Sequence, residues 1–591
     1  MRSSKFHAVL APISAGILAA ALFFQSCTGD GPDPNANTLR IRVEQDVTGL
    51  QPVLAKSSYA RSVAGQIFQM LGNLDPQTLE LKPLIIKAMP QARPLTDGPH
   101  KGGIAYDFEL LDEAAWDNGS PLTGHDVVFT LKMIMNPLMP TAEWRGYYEY
   151  IRDVEVDKAN PKKFTVYMSE YYILGLETLC QTPIFPAYHY DPGSNLADIP
   201  LADLCDPKKS AALAQSNPKL KAFADEAQQP KYATEKAFIS GSGPYQMEFL
   251  KAGEGVVLVR KKNWWADKLA GQNPLLAAYP EKLVYRPVKE EPAVENMLKN
   301  SELDLSTNIS AGKFIELKKN DTLATKYTFG TNAPTQYSYI MCNLRDPKLA
   351  DKQVRLALAH AVDYDYLLTT VGKGMAKRTV GPINPAKPYY NSALTPYDFN
   401  LDKSRQLLTD AGWKDTDGNG ILDKNIGGKK TELSFKILAT TTSEATRLTV
   451  EKLKETAQKV GIGIEIVATD LQKLTSETRA GNFELAALAA ATFPGADDTY
   501  QNLHSKSLAP AGDNRSGFVN AAADRLMESI RTEQDLAKRY ELYKQLQQII
   551  HEELPNIYLT SPEQRYVVAK RFVPMMTVNR PGYYEHLFKL K

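Results

Sequence analysis

Between residues 430 and 490 the apolar positions change period at regular intervals. Over 433–439 they alternate, the period-2 mark of a strand with one buried face. Over 444–460 (EATRLTVEKLKETAQKV) they recur at helical spacing and stop at Gly461, a residue suited to a helix C-terminus. Ile462, Ile464 and Ile466 alternate again, 470–480 returns to helical spacing, and 483–491 is an apolar strand. Strand, helix, strand, helix, strand predicts a parallel α/β layer. Ligands of such sheets sit beyond the carboxyl ends of the strands, here at the loop after Ala491, TFPGADDTYQNLHS.

The same reading extends along the chain. Thr123 and Asp126 are placed to cap a helix through DVVFTLKMIM. Residues 290–300 read as a helix leading into a strand at 303–306, and Asn400 and Asp402 open a helix that Gly412 ends. Residues 205–235 read as a helical surface excursion, and no internal repeat is visible. At the N-terminus Arg2 and Lys5 precede an apolar run over 8–24, then Gln25, Ser26 and Cys27. This is the layout of a secretory signal, and its terminal cysteine resembles a bacterial lipoprotein signal. Gln25 stands where a small residue is usual. The run of 17 residues, interrupted by Pro12, is short for a membrane span. The expectation is a signal over 1–26, lipid on Cys27, a tether over 27–37, and work in the periplasm or cell envelope.

The length of 591 residues implies two or three domains, with 43% hydrophobic and 23% charged residues as in a globular protein. Net charge is +1, from 69 basic and 68 acidic residues, and no basic stripe suggests nucleic acid. Beyond Cys27 three cysteines remain: Cys180, Cys205 and Cys342. Without a C-x-x-C they suggest neither zinc nor redox chemistry. Cys180 and Cys205 either pair across a Pro-rich loop or stay reduced, and Cys342 reads as a buried thiol. The nucleophile elbow G-x-S-x-G, the zinc motif H-E-x-x-H and the phosphate loop are all absent, which favours a binder over an enzyme. His551, in HEELP, has the wrong spacing for a zinc pair and reads as a helix end.

Four ordered segments carry a resemblance. DNGSPLTGHDVVFT (117–130) is similar to "DGTPLTAEDVVFS". GSGPY (241–245) followed by VVLVRKKNWW (256–265) is similar to "GTGPY…L.RNPDYW". QVRLALAHAVD (353–363) is similar to "DVRVRQALAYAID", and NLDKSRQLLTDAGW (400–413) to "YDPEKAKKLLAEAGW". Together they resemble the family 5 extracellular solute-binding proteins, which deliver peptides, nickel or other solutes to ABC importers. The resemblance implies an α/β, two-lobed periplasmic-binding-protein-like fold of the class II, or cluster C, type with three domains. Domain I would comprise 38–80, 232–326 and 558–591, domain II 81–231, and domain III 327–557. Hinges would lie near Phe329 and Pro555. The implied function is capture of a small solute, foremost an oligopeptide, by a monomer that closes on it and hands it to a membrane permease. A non-peptide solute, or a receptor or adhesin without transport, are the alternatives on the same fold.

Many peptide-binding members anchor the ligand's α-ammonium with an Asp in a segment like "W…D-x-x-D-P-D-N-F". Here AAATFPGADDTY (489–500) matches it without the Trp, and Phe493 or Ala496 falls at the anchoring position. Loss of such a partner costs about 2–5 kcal/mol of binding, which favours a capped or non-peptide ligand. By position the pocket candidates are Phe493, Asp497, Asp498 and Tyr500 on this loop, then Arg515 for a carboxylate, Tyr339, Asn343 and Tyr245. Gly243 and Pro244 read as structural.

DTDGNGILD (415–423) places Asp415, Asp417, Asn419 and Asp423 at positions 1, 3, 5 and 9 of a calcium loop, with Gly420 at 6 and the Ile421 carbonyl at 7. Ile426 replaces the bidentate Glu of position 12, so no regulatory calcium is expected. A single structural Ca²⁺ and a plain Asp/Asn/Gly turn both remain open. No cofactor is required.

Overall fold

A seven-stranded sheet forms the base of the first lobe. Its order is Tyr327–Asn332, Gln564–Ala569, Leu305–Thr307, Thr38–Val43, Lys282–Pro287, Gly255–Arg260, Tyr245–Lys251. Thr38–Val43 is buried on both faces, which its sequence TLRIRV permits only because Arg40 and Arg42 find partners there. Arg40 pairs with Asp304, and Arg42 donates to the Val288, Thr307 and Lys289 carbonyls. A four-stranded sheet, Arg93–Pro94, Ile104–Glu109, Lys163–Met168, Ile151–Val156, shares one continuous apolar core with the first. The computed structural model describes residues 36–591 except Lys56, Thr335 and Phe493. The signal, Cys27 and most of the tether lie outside the described residues. None of the described helices is long and apolar enough to cross a membrane.

The second lobe is built on a five-stranded sheet ordered Gly463–Ala468, Ser434–Ala439, Leu485–Ala491, Gln336–Cys342, Asn556–Tyr558. Its first three strands are parallel, as their periodicity implies, and helices Glu444–Gln458 and Leu471–Ala480 connect them. Gln336–Cys342 runs antiparallel to Leu485–Ala491, so the whole sheet is mixed. Phe435, Ile437, Val450, Leu453 and Trp413 fill its core. The caps are as the sequence places them. Thr123 and Asp126 form a capping box, Asn400 Oδ1 accepts from Lys403 N at 2.9 Å, and Gly461 takes φ +81° after its helix.

Tyr327–Asn332 pairs along its length with Gln564–Ala569 and so belongs to the first sheet, whereas Asn556–Tyr558 belongs to the second. The chain therefore passes between the sheets after Asn332 and before Gln336, and again at 559–563, just beyond Phe329 and Pro555. The second passage is braced by Ala376–Arg378, which pairs with Thr560–Pro562. Cys180 and Cys205 do not pair: each is a free, buried thiol in the first-lobe core, as Cys342 is in the second. Burial pushes all three thiols up to about 12, so they behave as small apolar groups.

Candidate functional site

A cavity of about 790 Å³ lies where the two lobes meet. The carboxyl end of Leu485–Ala491 lines it with Leu488, Ala489, Ala490 and Ala491, and the three small alanines leave the space open. Tyr337 and Tyr339 from the neighbouring strand and Tyr558 from the next form an aromatic wall, with centroids 5.6–6.1 Å apart. Burial pushes the Tyr339 hydroxyl up to about 12, so it stays a neutral donor. The first lobe supplies Trp144, Tyr147, Tyr148 and Glu177. The loop after Ala491, singled out by the strand pattern, contributes Ala496, Asp497, Asp498 and Thr499.

The two aspartates of that loop have different surroundings. Asp498 Oδ2 accepts from Tyr172 Oη at 2.8 Å and from Arg531 Nε at 3.0 Å. Tyr172 comes from the first lobe, as does Glu149, which takes Arg531 Nη1 at 3.1 Å. Asp498 is thus spent on contacts between the lobes. Asp497 Oδ2 accepts from Tyr389 Oη at 2.6 Å, and Lys387 Nζ stands 3.9 Å away. Burial pushes the Asp497 carboxyl above its ordinary range, against the pull of Lys387 and Tyr389. Lys387 itself donates to the Pro494 carbonyl at 2.7 Å and to that of Gly495, fixing the loop.

The other sequence candidates separate. Tyr339 and Arg515 line the cavity, but Arg515 already holds a carboxylate, with Nη2 2.7 Å and Nε 2.8 Å from Asp513 Oδ1. Asn343 does not reach the cavity. Its amide donates to the Gly481 and Phe483 carbonyls and its oxygen accepts from Arg345, so it ties loops together. Tyr245 is fully buried in the first-lobe core, its hydroxyl on the Pro280 carbonyl. Tyr500 faces a second groove between the lobes, of about 660 Å³, stacked on His504 and under Arg531. Phe493 lies outside the described residues. Glu177, Lys387, Tyr389 and Arg531 carried no motif. Their only sequence signal is charge or an aromatic ring in Pro-flanked or helical stretches.

In the 415–423 loop, Asp415, Asp417 and Asp423 bring carboxylate oxygens within 4.8 Å of one another. Asp415 accepts from Gly418 N and Gly420 N, and Asp423 from Thr416 N and Oγ1. Asn419 turns its oxygen to Ile421 N and its amide to Glu432. Lys430 Nζ lies 2.8 Å from Asp417 and 3.4 Å from Asp423. The carboxylates fit a hard cation, and Lys430 already places a positive charge among them.

The family model of bacterial extracellular solute-binding proteins, family 5 Middle, matches residues 50–509. The chain is 24% identical over 486 residues to the oligopeptide-binding protein AppA of Bacillus subtilis, covering 79% of this chain and 77% of AppA. It is 22% identical over 346 residues to the nickel-binding periplasmic protein of Escherichia coli, covering 58% of this chain and 61% of that one. The fold matches AppA in complex with a nonapeptide at TM-score 0.74 and 21% identity, over 94% of this chain and 99% of AppA. It matches an oligopeptide-binding protein from Thermus thermophilus, complexed with a pentapeptide, at 0.74 and 20%, over 94% and 96%. With two lobes meeting over a lined cavity, the chain belongs to the bacterial extracellular solute-binding proteins of family 5.

Proposed function

We propose that this protein is the capture component of an ABC importer: a monomer that takes an oligopeptide between its lobes and presents it to a permease. The cavity lined from both lobes carries the reading, because a ligand there touches both and so favours closure. The relatives that bind oligopeptides support the choice of ligand. Tyr337, Tyr339 and Tyr558 offer broad apolar faces to varied side chains, and the edge of an adjacent strand suits an added peptide backbone. On this reading the chain has three domains, with domain III beginning after Asn332 rather than at 327, because Tyr327–Asn332 pairs in the first sheet, and with hinges between Asn332 and Gln336 and at 559–563. The signal directs export and the lipid on Cys27 holds the protein to a membrane outside the cytoplasm, and it binds without catalysing a reaction.

Asp497 is the group for the peptide's α-ammonium. It faces the cavity with a single hydroxyl donor, and Asp498, its neighbour, is taken by Arg531. The missing "W…D" segment therefore does not rule out a free N-terminus. Native mass spectrometry of protein purified without refolding tests the whole reading, as does a thermal-shift screen against pooled peptides. A ligand at a hundred times its Kd adds about 2.7 kcal/mol of stability. If no pool raises the melting temperature and no solute co-purifies, the proposal fails.

A further inference from the structure

Glu177 sits on the short first-lobe helix Gly175–Cys180 and lines the same cavity as Asp497. Its carboxylate is half-buried, yet among the described residues no hydrogen-bond donor or ion-pair partner meets it. A carboxylate partly withdrawn from water thus gains no compensating hydrogen bond from the protein. Burial accordingly pushes it above its ordinary range, with Lys387 the one charge opposing the shift. The loop opposite makes room for it. A β-carbon on Gly495 would collide with Glu177 Oε2, so glycine there lets a first-lobe carboxylate reach the loop that carries Asp497. Two carboxylates, one from each lobe, thus share this corner with one lysine, leaving an excess of one negative charge.

Resting on the peptide reading above, we infer that Glu177 is a specificity-determining residue: the second carboxylate of a two-lobe anchor for the ligand's ammonium group. The ammonium supplies the donors that Glu177 lacks and bridges it to Asp497 across the cleft. The ligand class is thereby narrowed to solutes that present a cationic amine at this end, with N-terminally blocked forms bound more weakly. Because Glu177 and Asp497 approach each other only when the lobes meet, the same contact couples ligand charge to closure.

Isothermal titration with a pool of synthetic pentapeptides, and with the same pool N-acetylated, tests this on the wild type, Glu177→Gln and Gly495→Ala. Gly495 has no left-handed φ, so alanine fits its backbone and displaces only the flexible Glu177 side chain. The free-amine pool should lose at least about tenfold in affinity in both variants, while the acetylated pool changes less than about twofold. Equal losses for the two pools, or none, overturn the role of Glu177 while leaving the peptide reading intact. A wild type that binds neither pool overturns both.

Discussion

Arg531 Nε lies 3.0 Å from Asp498 Oδ2, and each side chain is only 4% exposed. The pair belongs to the second lobe, but the first lobe completes it. Tyr172 donates to the same carboxylate, Glu149 takes Arg531 Nη1, and Ile173 N donates to the Arg531 carbonyl at 2.9 Å. The Arg531 guanidinium also lies over the rings of Tyr172 and Tyr500, 4.9 and 4.2 Å from their centroids. Ligand contacts are therefore not the only ones that hold the lobes together.

Removing that cation should both destabilise and open the protein. Arg531→Met leaves Asp498 buried without a counter-charge, a loss of about 3–5 kcal/mol. Tyr172→Phe removes one cross-lobe hydrogen bond to a charged group, about 1.5–3 kcal/mol. Small-angle scattering of the ligand-free proteins should show a larger radius of gyration for both. An unchanged radius for Tyr172→Phe would reduce the network to a strut within the second lobe.

The adjacent aspartates should respond in opposite ways. Asp497→Asn removes a carboxylate that burial already disfavours, so stability should hold or rise while affinity for a free-amine peptide falls. Asp498→Asn disrupts the buried pair with Arg531, so the melting temperature should fall first. Calorimetry and titration on the two variants give the ranking, and the reverse order would exchange the roles assigned to them.

These roles explain which parts of the molecule could be read from the chain alone. Ile462, Ile464 and Ile466, the Thr123–Asp126 capping box and Gly461 act through neighbours a few residues away, and local periodicity displays them. The loop after Ala491 was legible because strand direction constrains where a crevice opens. Its two aspartates were not separable, because the residue that engages Asp498 from the other lobe, Tyr172, is 326 positions away. Glu177 reaches the cavity, and Lys387 the loop beside it, from other remote segments. Asn343 and Tyr245 looked like pocket residues beside their strands, but loop carbonyls and a core carbonyl take up their polar groups.

Lys430 should compete with calcium at the 415–423 loop. Its ammonium sits between Asp417 and Asp423, so Ca²⁺ must displace it to gather the three carboxylates. Lys430→Gln should raise calcium affinity by about tenfold, as expected when a site gains net negative charge. Identical titration isotherms for the wild type and the variant would show that Lys430 is no competitor.

Glu585 and His586 are consecutive in sequence and should impose opposite pH slopes on stability. Burial pushes Glu585 up to about 7 and His586 down to about 4, from ordinary values of 4.5 and 6.5. Between pH 4.5 and 7 the folded chain keeps a proton on Glu585 that the unfolded chain releases, so stability is lost as pH rises. Between pH 4 and 6.5 the unfolded chain protonates His586 while the folded chain does not, so stability is gained as pH rises. The two slopes cancel over most of their common range. Glu585→Gln keeps an oxygen for the Tyr285 hydroxyl, which donates to Glu585 Oε1 at 2.8 Å, and removes only the falling slope. Relative to the wild type this variant should gain about 3 kcal/mol between pH 4.5 and pH 8. His586→Asn should show the opposite tilt below pH 6.5. Parallel stability curves for all three proteins, measured by denaturant titration at stepped pH, would remove both groups from the account.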